Sequence, residues 1–124
     1  MRYLAVALPF SALALTVSVS AQDEDPQVAQ GRQVFEHMCA PCHGQGPGDD
    51  GSAMLPGTAA LAEKYDGTRP GALELRSDLS APVLSLFVRR GVGAMPAFRA
   101  SELPDDDIAA VAAYLAANAA AAGQ

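Results

Sequence analysis

In Cys39-Ala40-Pro41-Cys42-His43, two cysteines stand three positions apart and a histidine follows directly. This is the C-x-x-C-H spacing of covalent c-type haem attachment. At a helix end, cysteines at that spacing reach the two vinyl groups of one porphyrin. The next residue, His43, is then carried onto the ring face, where an imidazole nitrogen can bind iron. These are the only two cysteines of the chain. Other chemistries fit less well. A lone disulfide in an oxidising compartment would close a tight loop and leave His43 unexplained. A thioredoxin-like pair needs a strand–helix–strand setting, which the sequence lacks. A zinc site needs four ligands at tetrahedral spacing, and His37, Cys39, Cys42 and His43 are too crowded for one.

Working back from the motif, Asp25-Pro26 places a capping residue before a proline at the first helical position. Val28, Gly31, Phe35 and Met38 then recur at helical spacing and lead straight into Cys39. Further back, Arg2 precedes an apolar run from Tyr3 to Val19. Ser20, Ala21 and the acidic Gln22-Asp23-Glu24-Asp25 follow. That is the build of a secretory signal peptide, with Val19 and Ala21 at the −3 and −1 positions. We expect residues 1–21 to be that peptide and residues 22–124 to be the single folded domain. An uncleaved anchor is the alternative, although the run is short for a span and Pro9 interrupts it. No later segment is expected to cross a membrane.

Working forward, Gly44 to Gly57 holds five glycines and two prolines and reads as a loop. Ala59 to Tyr65 is expected to be a short helix stopping at Asp66-Gly67, and Leu73 to Leu75 one further turn. Ser80 caps a helix with Pro82 in its first turn and an apolar stripe of Val83, Leu84, Phe87 and Val88. Arg89-Arg90 and Gly91 end it, as cations facing the dipole and a left-handed cap. A last helix begins near Pro104 to Asp107 and buries Ile108, Val111, Tyr114 and Leu115. The expected architecture is all-α: three main helices, short helical turns and long loops. Loops of this length in so small a domain call for something to wrap. With 6% aromatic residues and no tryptophan, side chains alone make a thin core. A haem supplies the missing apolar mass.

The chain has 8 basic and 14 acidic residues. Loss of Arg2 with the leader leaves 7 against 14, a charge of −7. That balance argues against nucleic acid as a partner and suits protein partners presenting a basic patch. A low-spin electron carrier needs a second axial ligand. His37 and Met38 lie too near the attachment site to reach the opposite ring face. Met95 stands 52 positions after His43, in Gly91-Val92-Gly93-Ala94-Met95-Pro96-Ala97-Phe98, a glycine- and proline-bounded loop able to fold over the far face. Met54 is the other candidate. Leu55, Leu61, Leu84, Phe87, Val88 and Phe98 are candidates for the pocket wall.

Gly31, Phe35 and Cys39 at four-residue intervals, the early attachment motif and the late Met95-Pro96 resemble the class I monohaem c-type cytochromes of bacteria. The likeness spans nearly all of the chain after the leader. It implies the small cytochrome c fold around one covalent haem c, and close passage of the C-terminal helix, with Val111 and Tyr114, over Gly31. It also implies that the Pro56 carbonyl accepts from the second nitrogen of His43, an outer contact that orients the ring and raises its basicity. Tyr65, Arg69 and Arg76 are further candidates, for the haem propionates. Residues 65–79 resemble small cytochromes that take electrons from periplasmic dehydrogenases. The implied activity is single-electron transfer with His43 and Met95 as iron ligands. The donor would be a quinoprotein or flavin dehydrogenase, and the acceptor an oxidase or another cytochrome. A haem enzyme or gas-binding protein with an open sixth position is the alternative.

Overall fold

The computed structural model describes residues 24–123, so the expected signal peptide lies outside the described residues. The chain runs through α1 (Pro26–Val34), a π-helical turn (Phe35–Cys39), α2 (Ala40–His43), α3 (Pro56–Tyr65), a 3-10 turn (Leu73–Leu75), α4 (Ala81–Arg90) and α5 (Asp105–Ala122). Among the described residues there is no strand, only one isolated antiparallel bridge between Val92 and Met95. The expected all-α architecture stands. None of the described helices is long and apolar enough to cross a membrane.

Local chemistry sets most boundaries. The Asp25 carboxylate accepts from the Gln27 N–H at 2.8 Å and caps α1, with Pro26 in the first turn. α3 begins at Pro56, three residues before the expected start. A proline at N1 carries the helical φ already and lacks only an N–H that would be unpaired there, so the loop ends at Leu55. α3 stops at Asp66, which adopts the left-handed conformation (φ 45°), an arrangement aspartate tolerates better than most side chains. α4 begins after Ser80 as expected, yet the serine side chain makes no capping bond. Gly91 ends α4 with φ 65° and ψ 162°. Its φ is positive, but this is the extended glycine region and not the expected left-handed cap.

α1 and α5 cross at Gly31. A Cβ there would overlap the Ala110 carbonyl and lie 3.0 Å from Tyr114 Cβ, so only glycine permits this approach. Ala110, and not Val111, forms the nearest contact. One turn on, Phe35 (1% exposed) packs on the Tyr114 ring with centroids 5.4 Å apart. Ile108, Val111, Tyr114 and Leu115 are all buried, as their spacing predicts. Leu84 and Val88 of α4 join the same core, together with Leu79 and Leu103. Phe87 stays outside it, 37% exposed.

The candidate haem site

The residues of the attachment motif sit at the edge of that core. Phe35 to Cys39 is wound one residue wider than an α-helix, with the Ala40 N–H donating to the Phe35 carbonyl. π-turns of this kind are frequent at functional sites. α2 then carries Cys42 and His43. Cys39 is half-buried, Cys42 is exposed, and both thiols are free. Cys39 and Ala40 pack against the buried cluster, as do Met95 and Phe98. Burial, with Cys42 beside it, pushes the Cys39 thiol up to about 11. It is therefore a protonated thiol near neutral pH.

His43 is half-buried, and burial holds its pKa below the usual histidine range. The ring is thus neutral in ordinary solution and has a lone pair to give a metal. Its Nδ1 is buried without a hydrogen-bond partner, so the bond expected from the Pro56 carbonyl is not made here. The expected neighbourhood is present, however. The next residue, Gly57, lies against the ring, and a Cβ on it would fall 2.7 Å from both Nδ1 and Cε1.

Met95 lies on a built loop. The Val92 and Met95 backbones exchange N–H···O bonds of 3.1 and 3.0 Å around Gly93 and Ala94. Gly93 has φ 60° and Ala94 has no positive φ, the pattern of a type II′ turn. Gly91 lies under the loop: a Cβ there would meet the Met95 carbonyl oxygen at 2.7 Å and the Ala97 nitrogen at 2.9 Å. Beyond the methionine, the Phe98 N–H donates to the Val88 carbonyl at 2.8 Å. Arg89 then donates to the carbonyls of Phe98 (3.1 Å) and Leu103 (2.8 Å) and to the Asp105 carboxylate. Arg89, read from sequence only as a cation meeting the α4 dipole, is a staple on the loop that follows Met95. Met95 is half-buried, whereas Met54 is 42% exposed.

Tyr65, Arg69 and Arg76 do come together. Arg76 (5% exposed) lies over the Tyr65 ring at 4.8 Å, with Arg69 at 5.3 Å and Lys64 at 5.4 Å from the ring centroid. Arg76 forks onto Asp78 at 2.9 and 2.7 Å, and Arg69 reaches the same carboxylate at 2.7 Å. Asp78 was not foreseen, although Arg-x-Asp spacing carries the signal. Arg76 holds the Asp78 carboxyl below the usual range and, from beside the ring, also lowers the Tyr65 phenol.

These residues fit a haem c. Two thiols and a neutral imidazole with an unpartnered buried nitrogen share one helical turn, and a structured methionine loop packs on the same core. Among the described residues, no group of three or more His, Cys, Asp or Glu gathers to hold a bare metal ion. When bound, such a haem supplies a one-electron Fe(III)/Fe(II) couple.

Comparisons with known proteins agree. The model of the family described as cytochrome c oxidase, cbb3-type, subunit III matches residues 26–115. Cytochrome c6 of Picosynechococcus sp. is 36% identical over 118 residues, covering 95% of this chain and 94% of the relative. Cytochrome c6 of Tetradesmus obliquus is 37% identical over 91 residues (71% and 86%), and that of Thermosynechococcus vestitus 35% over 109 (88% and 86%). The motif, the fold and these relatives together place the chain in the cytochrome c family, as a class I monohaem c-type cytochrome, an electron-transfer protein with one covalently bound haem c.

Proposed function

We propose that this protein is a periplasmic single-electron shuttle whose haem iron is held by His43 and Met95. Residues 1–21 would be its export signal, and residues 22–124 the mature carrier. Cys39 and Cys42 would form the two thioethers. The observation that carries the proposal is the Met95 loop. Its turn is hydrogen-bonded, Gly91 packs beneath it and Arg89 ties down its exit. A thioether held this way is a preorganised ligand, and a soft one that favours reduced iron and raises the potential.

His43 would bind through its neutral ring, with its Nδ1–H donating to the Pro56 carbonyl once haem is in place. Two guanidiniums, Arg69 and Arg76, share the single Asp78 carboxylate. That leaves positive charge beside Tyr65, which suits the carboxylates of a haem. The donor would be a quinoprotein or flavin dehydrogenase, and the acceptor an oxidase or another cytochrome. Redox interfaces of this kind are small and short-lived. With −7 overall, association with a basic docking patch should weaken as salt rises.

The test of the ligand set is the ferric spectrum of the holoprotein. A sulfur-to-iron charge-transfer band in the red, lost in Met95→Ala and kept in Met54→Ala, supports it. Absence of that band, with ready carbon monoxide binding to the ferrous protein, would establish the open-site haem enzyme or gas sensor instead.

A further inference from the structure

We propose that Thr58 is a positioning residue for the axial histidine, its buried hydroxyl fixing how the His43 imidazole is turned against α3. The inference rests on His43 being an iron ligand. Thr58 is 5% exposed and, with Arg76, is one of two buried polar or charged side chains among the described residues. A threonine in a helix ordinarily turns its hydroxyl to water or to its own preceding turn. Here it donates instead to the Gly44 carbonyl at 2.7 Å, 14 positions back in sequence.

Gly44 directly follows His43. Its N–H donates to the Ala40 carbonyl at 2.9 Å, and a Cβ on it would come within 2.9 Å of that same oxygen. Gly44 is therefore pinned by its N–H to α2 and by its carbonyl to Thr58. The residue before Thr58 completes the grip. Gly57 lies against the imidazole, and a Cβ there would stand 2.7 Å from the ring and 2.8 Å from the Cys42 carbonyl oxygen. The first turn of α3 thus touches the ring through Gly57 and holds the neighbouring backbone through Thr58. That turn is itself backed by Gly71, which packs against the Thr58 carbonyl and Ala62.

The covalent link between His43 and α3 cannot do this. Residues 45–55 are mostly exposed, and the hydrogen bonds of Gly48, Gly51 and Ser52 close on the loop itself and not on His43 or Gly44. The Thr58 hydrogen bond crosses that loop. Turning of the imidazole would change the reach of Nδ1 to an acceptor and the way its lone pair meets a bound iron, and both would affect the iron's electronic state.

The experiment compares wild type, Thr58→Val and Thr58→Ser, each matured with haem c in a competent host. The wild-type ferric spectrum is recorded first. If it lacks the His/Met signature, the ligand assignment itself is at fault, not the role of Thr58. With that signature present, T58V should shift and reorder the haem methyl proton resonances of the ferric protein and move its midpoint potential. T58S, which keeps the hydroxyl, should match wild type in both. T58V with unchanged resonances and potential, and only a lower melting temperature, would overturn the proposal. If T58V yields no holoprotein, T58S decides alone: wild-type values support the hydroxyl's role, and altered ones refute it.

Discussion

Replacing Gly31 with alanine sets two effects of opposite sign against each other. In a helix interior, alanine is favoured over glycine by about 0.5–1 kcal/mol. Against that, the new methyl overlaps the Ala110 carbonyl and sits 3.0 Å from Tyr114 Cβ. The main obstacle is backbone in the middle of α5, so no rotamer change relieves it. The helices must separate, which loosens Phe35 against Tyr114 as well. Overpacking of this kind costs about 1–3 kcal/mol. With a rigid obstacle the upper part of that range applies, leaving a net loss of about 1–2 kcal/mol. For a domain of about 100 residues that lowers the melting temperature by roughly 5–15 °C. Thermal unfolding of the holoprotein, followed by circular dichroism, measures it. Gly123→Ala is the control, because the nearest atom to its Cβ is 3.5 Å away. It should stay within about 0.5 kcal/mol of wild type. A Gly31→Ala protein as stable as wild type or more so would mean that helix propensity outweighs the crossing, and would refute this account of the α1–α5 contact.

Gly91→Ala puts a side chain at φ 65° and into the Met95 backbone, a conformation that costs on the order of 1–3 kcal/mol. The loss should fall on the loop, so with Met95 as the proposed iron ligand its sulfur-to-iron band should disappear at a lower temperature than the helical signal. Arg89→Met removes donors to the Phe98 and Leu103 carbonyls. It should weaken the same band more than it lowers overall helicity. Asp78 has a folded-state pKa below its unfolded value because of Arg76. Its contribution to stability is therefore fully present above the ordinary carboxylate pKa of about 3.9 and is lost as pH falls through the depressed one. Asp78→Asn should flatten the acid limb of a stability–pH curve, and an unchanged limb would count against the pairing.

Much of the site was legible because its chemistry is local. Two cysteines and a histidine in one helical turn and a glycine four residues before a phenylalanine each carry their meaning within a few positions. The helix starts at Pro26 and after Ser80 were likewise marked, both by an early proline and the first also by the Asp25 cap. What escaped was tertiary. Pro56 looked like loop because glycines surround it, although it opens α3. Arg89 looked like a dipole counter-charge, and only the folded chain brings carbonyls from the Met95 loop and the start of α5 to it. Thr58 carried no signal at all, since nothing in its neighbours indicates a partner 14 residues away. Phe87 fits an apolar stripe by spacing, yet it stays 37% exposed while Leu84 and Val88 are buried and Val83 packs against the core.

The central claim is that Cys39 and Cys42 hold one haem. It is tested most directly by the intact mass of the denatured, chromatographically pure protein from a host that matures c-type haem. The account predicts a mass above that of the polypeptide by one haem, with no thiol left to alkylate and the addition lost when both cysteines are changed to alanine. A polypeptide mass alone, with two alkylatable thiols or a Cys39–Cys42 disulfide, would contradict it.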